Sequence, residues 1–168
     1  MNAHLLLKRI PIFTTLGSCL FKSILLNIEI SSFLYIELKQ FLSKYIHENL
    51  NKLVNDEITV EVLNKRKIEL LEENIRGNDI DFYLISSILN INFVLLNENN
   101  VAVKYLDKMN LLETILYFGV DNDNTHIELL TQYKILEKIP KLKEKALWLL
   151  KILISLKESN KKLNIKNY

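Results

Sequence analysis

Cys19, His126 and Glu128 are the residues of this chain whose types and order could support covalent chemistry. A thiolate is a far better nucleophile than a thiol, so the surroundings of the cysteine decide what it can do. Cys19 stands where the chain leaves Gly17-Ser18 and enters an apolar period of Leu20, Phe21, Ile24, Leu25 and Ile28. That spacing predicts a helix starting at or just before Cys19. Unpartnered N–H groups and the helix dipole favour an anion at such a position, where cysteine pKa values can fall to about 3.5–7.5. The alternative is a buried apolar filler beside Leu20 and Phe21.

His126 follows the polar run Asp121-Asn122-Asp123-Asn124 and opens an apolar strand. Glu128, two residues on, shares its strand face because side chains repeat with period two. A carboxylate there can accept a hydrogen bond from one imidazole nitrogen, leaving the other to face a thiol. Thiol plus oriented imidazole is the pattern of a covalent cysteine hydrolase. Without Cys19 the same pair reads as a surface histidine beside a solvated glutamate. His4, in the N-terminal stretch, and His47, in the polar end of a helix, have no such companion.

These groups must be held by a frame of modest size. The 168 residues, 49% hydrophobic and 25% charged, suit one domain spanning 1–168 with one core. Three glycines and two prolines exclude collagen-like or linker-rich organisation. A formal charge of +2 does not point to nucleic acid. One cysteine cannot form an internal disulfide, and with three scattered histidines it makes no zinc-ligand cluster. Neither metal nor cofactor is therefore expected, and the lone cysteine fits a reducing compartment. The expectation is a monomer in the cytoplasm, the host's if the source is a virus or intracellular pathogen. The longest apolar run, Ala146–Leu156, is shorter than a bilayer requires and contains Lys151. Lys8 and Arg9, an apolar Ile10–Phe13 and Leu16-Gly17-Ser18-Cys19 also read as a lipoprotein signal with an acylated cysteine. Against that, Cys19 is followed by an apolar helix and not by a polar tether.

The spacing predicts further helices over 32–49, 56–74 and 80–89, with Ser31 or Ser32 and Asn78 or Asp79 as caps. Asn90 closes the third of these. Strands are predicted over 91–96, 101–105, 113–118 and 126–132, and a closing helix from Pro140 to about Glu158. The fold class is α+β: helices first, then a small, mainly antiparallel sheet packed between helices, then the closing helix.

Three stretches, in order, resemble the ovarian tumour (OTU) family of cysteine deubiquitinases. Gly17-Ser18-Cys19-Leu20-Phe21-Lys22-Ser23-Ile24 is similar to its Asp-Gly-x-Cys-Leu-Phe-Arg-Ala-Ile nucleophile motif. Gly77-Asn78-Asp79-Ile80-Asp81-Phe82-Tyr83-Leu84-Ile85-Ser86 resembles its Trp-Gly-Gly-x-x-Glu-Leu helix, with the following strand at Leu89–Leu95. His126-Ile127-Glu128-Leu129-Leu130 resembles its His-aromatic-Asp/Glu/Asn-Leu-Leu motif. The resemblance covers about residues 8–133 and leaves the helix at 138–160 as an addition.

The resemblance implies an OTU-like cysteine protease fold, acting on ubiquitin or a ubiquitin-like modifier joined to lysine. Cys19 would be the nucleophile, His126 the general base and acid, and Glu128 the orienting acid. The turn Leu16-Gly17-Ser18 and the Cys19 N–H would form the oxyanion hole. Ubiquitin's tail carries arginines, so Asp79, Asp81, Asp121 and Asp123 are either an acidic patch for it or solvated turn residues. Three positions differ from the family pattern: Leu16 stands for Asp, Ile75-Arg76 for the tryptophan before Gly77, and Ile127 for the aromatic after the histidine. A ubiquitin-binding module without activity is the alternative on the same fold.

Overall fold

The computed structural model describes residues 7–10, 18–96, 99, 102–106, 115–120, 127–132 and 135–166. Strand β1 is Leu7–Ile10, and helices α1 to α4 are Cys19–Asn27, Tyr35–Leu53, Val60–Glu69 and Asp79–Leu89. Strands β2 to β5 follow at Asn92–Leu96, Ala102–Leu106, Ile115–Val120 and Ile127–Gln132. A short α5, Ile135–Lys138, and a long α6, Pro140–Lys166, end the chain.

Helix α1 forms where predicted and buries Leu20, Phe21, Ile24 and Leu25 in the core. Ser31 accepts a hydrogen bond from the Phe33 N–H and opens a 3-10 turn, Ser32–Leu34, that leads into α2. The sequence expectation ended this helix at Asn49. There the backbone leaves helical geometry (φ −125°, ψ 22°), and the Asn49 amide donates to the Tyr45 carbonyl. Four further residues nevertheless continue to Leu53, which is buried.

Helix α3 is shorter than the predicted 56–74. The Asn55 carboxamide accepts from the N–H groups of Glu57 and Ile58, a local turn that competes with helix. Thr59 then caps the helix by accepting from Val62 N–H. Helix α4 has a full capping box: Asn78 accepts from Ile80 and Asp81, and Asp81 accepts from Asn78. Asn90 closes it in the left-handed region at φ 58°.

The five strands form one sheet in the order β1-β5-β4-β2-β3. β1 and β5, β5 and β4, and β2 and β3 pair antiparallel, whereas β2 and β4 run parallel. β2 is buried along its whole length, as an interior strand with neighbours on both edges requires. Its Phe93 packs on Phe82 of α4 with ring centroids 5.0 Å apart. Helix α6 buries Leu142, Ala146, Leu149 and Leu153. Against α2 it adds an edge-on Phe41–Trp148 contact and a hydrogen bond from Asn160 to Gln40. Full burial of each of these leucines contributes about 1.5–3 kcal/mol. Among the described residues no helix is long and apolar enough to cross a membrane.

Candidate active site

Cys19 is the first residue of α1 and is partly exposed. The buried Ser18 precedes it as the N-cap, and the Ser18 carbonyl accepts the Lys22 N–H to start the helical ladder. The Ser18 side chain makes no cap bond to this helix start. The sulfur therefore belongs to the turn of α1 whose amides point out of the helix, as the residue types implied.

Helix α1 lies against β5, the strand that carries Glu128. In the antiparallel ladder Val120 faces Ile127 and Gly119 faces Glu128, so the β4–β5 pairing opens one residue after His126. His126 itself, with Leu16, Gly17, Asp121 and Asp123, lies outside the described residues. Of the anticipated site residues, Ser18, Cys19 and the backbone of Glu128 thus fall on two elements in contact.

A third element meets α1 from the other motif. A β-carbon at Gly77 would stand 2.5 Å from the Leu20 Cβ and 2.6 Å from its Cδ1, closer than carbon atoms can approach. Only glycine permits this approach. Leu20 is 2% exposed and directly follows the cysteine. The segment leading to Gly77 is held by two buried cations. Lys39 of α2 donates to the carbonyls of Glu72 (2.7 Å) and Glu73 (3.4 Å) and sits 6.0 Å from the Phe21 ring centroid. Arg66 of α3 donates through Nη2 to the Arg76 carbonyl (2.6 Å).

Arg66 also makes a two-pronged ion pair with Asp81, through Nε to Oδ1 (3.0 Å) and Nη2 to Oδ2 (2.5 Å). Both residues are buried, at 2% and 0% exposure. The sequence reading set Asp81 in an acidic patch or a solvated turn, and the structure corrects both. Its carboxylate is enclosed because capping Asn78 and pairing Arg66 turn it inward. Burial pushes this carboxyl upward, against the lowering pull of Arg66 and of the Asn78 N–H. Asp79, in contrast, is exposed in the first turn of α4. Sequence reasoning missed Arg66 and Lys39. One available signal was that Arg66 is among only three arginines in a chain with nineteen lysines, where a planar two-pronged donor is the special choice.

The sequence matches no protein-family model and no curated protein. The structure does resemble solved ones. The viral OTU domain protease from Dera Ghazi Khan virus superposes with a TM-score of 0.61 at 17% identity, covering 80% of this chain and 86% of that one. The Hazara virus OTU bound to ubiquitin gives 0.53 at 21%, covering 75% and 80%. An OTU deubiquitinase from Wolbachia pipientis wMel gives 0.52 at 13%, covering 83% and 96%. With Cys19 heading a helix against β5 and Gly77 seated on that helix, the chain has the fold of the ovarian tumour domain in a divergent sequence.

Proposed function

We propose that this chain is a cysteine-dependent isopeptidase that removes ubiquitin or a ubiquitin-like modifier from lysine. The observation that carries the proposal is the contact of α1, headed by Cys19, with β5, which follows His126 and carries Glu128. Similar structures described as an OTU protease, an OTU bound to ubiquitin and an OTU deubiquitinase support it.

In this reading His126 takes the proton of Cys19, and the sulfur attacks the carbonyl carbon of the modifier's C-terminal glycine. The charge that develops on the oxygen is met by the Cys19 N–H and the amides of the Leu16-Gly17-Ser18 turn. Losing one such donor typically costs about 100- to 1000-fold in rate. The tetrahedral intermediate collapses, the carbon–nitrogen bond breaks, and His126 returns its proton to the departing lysine amine. Water, deprotonated by His126, then attacks the thioester and releases the modifier's carboxylate and the free thiol. Glu128 holds the imidazole in the tautomer that both steps use.

The test is reaction of the intact protein with a ubiquitin C-terminal electrophile, read by mass. One adduct on Cys19, absent in Cys19→Ala and strongly reduced in His126→Ala, is the expected result. Failure of the wild type to react with any ubiquitin-like electrophile would overturn the proposal.

A further inference from the structure

The Arg66–Asp81 pair has a placement that core stability alone does not require. Arg66 grips the carbonyl of residue 76 and Asp81 accepts the N–H of residue 78 (2.9 Å), so the backbone on both sides of Gly77 is fixed by one buried ion pair. Gly77 between them is the surface on which Leu20 rests, at a distance that admits no β-carbon. Leu20 is the second residue of α1 and Cys19 the first. Hydrogen bonds from α3 and α4 to the Arg76–Asn78 backbone, and the packing of Gly77 on Leu20, therefore connect the ion pair to the turn that carries Cys19.

Resting on the isopeptidase reading above, we propose that Arg66 and Asp81 are positioning residues for Cys19, acting through the Gly77 backbone and Leu20. They touch neither the thiol nor the scissile bond. Their part is to hold the first turn of α1 where the sulfur meets the imidazole and the carbonyl carbon. A guanidinium suits this task because its planar fork reaches the carboxylate and the Arg76 carbonyl together, which a lysine ammonium cannot do in the same geometry.

The experiment uses the full chain with two variants. Asp81→Asn keeps the side-chain volume but replaces one acceptor oxygen by a donor. Arg66→Lys keeps the charge but loses the fork, and is the variant to rely on should Asp81→Asn not fold. Each is assayed well below its own unfolding temperature with a fluorogenic ubiquitin C-terminal amide. The expected result is a fall in kcat of about 10- to 100-fold with KM little changed, since a shift of about 1 Å in a reacting group costs that much. The Leu20 methyl resonances, observed by NMR without substrate, are expected to shift in the same variants. A purely structural role would lower the unfolding temperature and leave kcat in the folded protein alone. An active wild type whose folded Arg66→Lys variant keeps kcat, or loses kcat with unmoved Leu20 resonances, overturns this inference alone. A wild type inert to the ubiquitin substrate overturns the isopeptidase reading, and the inference with it.

Discussion

Gly77 and Leu20 are in backbone-to-side-chain contact: a β-carbon at position 77 would lie 2.5, 2.6 and 2.8 Å from the Cβ, Cδ1 and Cγ of Leu20. The Cβ is fixed to the helix backbone, so rotating the leucine side chain cannot clear the space. Gly77→Ala must therefore push α1 and the 75–78 segment apart. Overpacking of this kind costs about 1–3 kcal/mol, and a urea titration should show the midpoint fall accordingly. An unchanged midpoint would mean that the two segments separate without cost.

The Arg66–Asp81 pair gives a second prediction, for stability. Arg66→Met leaves a fully buried carboxylate without its cation, which typically costs about 3–5 kcal/mol. The double variant Arg66→Met/Asp81→Leu removes both charges and should recover much of that loss, because apolar replacement of a whole buried pair is often neutral or better. A double-mutant cycle from denaturant unfolding measures the coupling. Losses that simply add would show that the two residues are independent.

Lys39 makes stability depend on pH in a defined direction. Burial lowers its pKa below the usual 10.5 and the neighbouring Arg66 charge lowers it further, while Asp81, Glu72 and Glu73 pull upward. The unfolded chain then holds this proton more tightly than the folded one. Stability from Lys39 is thus fully present above the unfolded value and is lost as pH falls through the depressed folded value. Relative to Lys39→Met, the wild type should gain in unfolding temperature as pH rises from neutral toward 10.5. A difference that does not change with pH would mean that Lys39 titrates alike in both states.

What the sequence disclosed follows from the range of each signal. The apolar period of α1, the cap at Asn78 and the stop at Asn90 are local, and each stands where it was expected. The start of α3 was misplaced because Asn55 and Thr59, residues that favour turns and caps, delay it to Val60. β1 escaped notice because Leu7–Ile10 is only four residues long and pairs with a strand more than a hundred residues away. In the same way Arg66 and Asp81 each look like surface residues until a separation of fifteen positions closes into an ion pair. Cys19 at a helix start was legible from its neighbours, whereas the seating of Gly77 on the adjacent Leu20 is a contact across 57 positions that periodicity cannot report.

Glu128 tests the part of the mechanism that rests on strand geometry. It occupies the position opposite Gly119 in β5, two residues after His126, and α1 packs on that strand. Glu128→Gln preserves size and an acceptor oxygen but removes the charge that favours the protonated imidazole. Turnover of a fluorogenic ubiquitin amide should fall, and by less than the roughly 100- to 10,000-fold that a positioned acid–base group contributes. Binding, read as KM, should change little, because in the proposed mechanism the carboxylate acts on the histidine and not on the modifier. Glu128→Ala should lose more than Glu128→Gln, since it also removes the oxygen to which the proposed mechanism gives the orienting of the ring. Equal and wild-type turnover in both variants would assign the orienting role to another residue and leave Cys19 and His126 as a dyad.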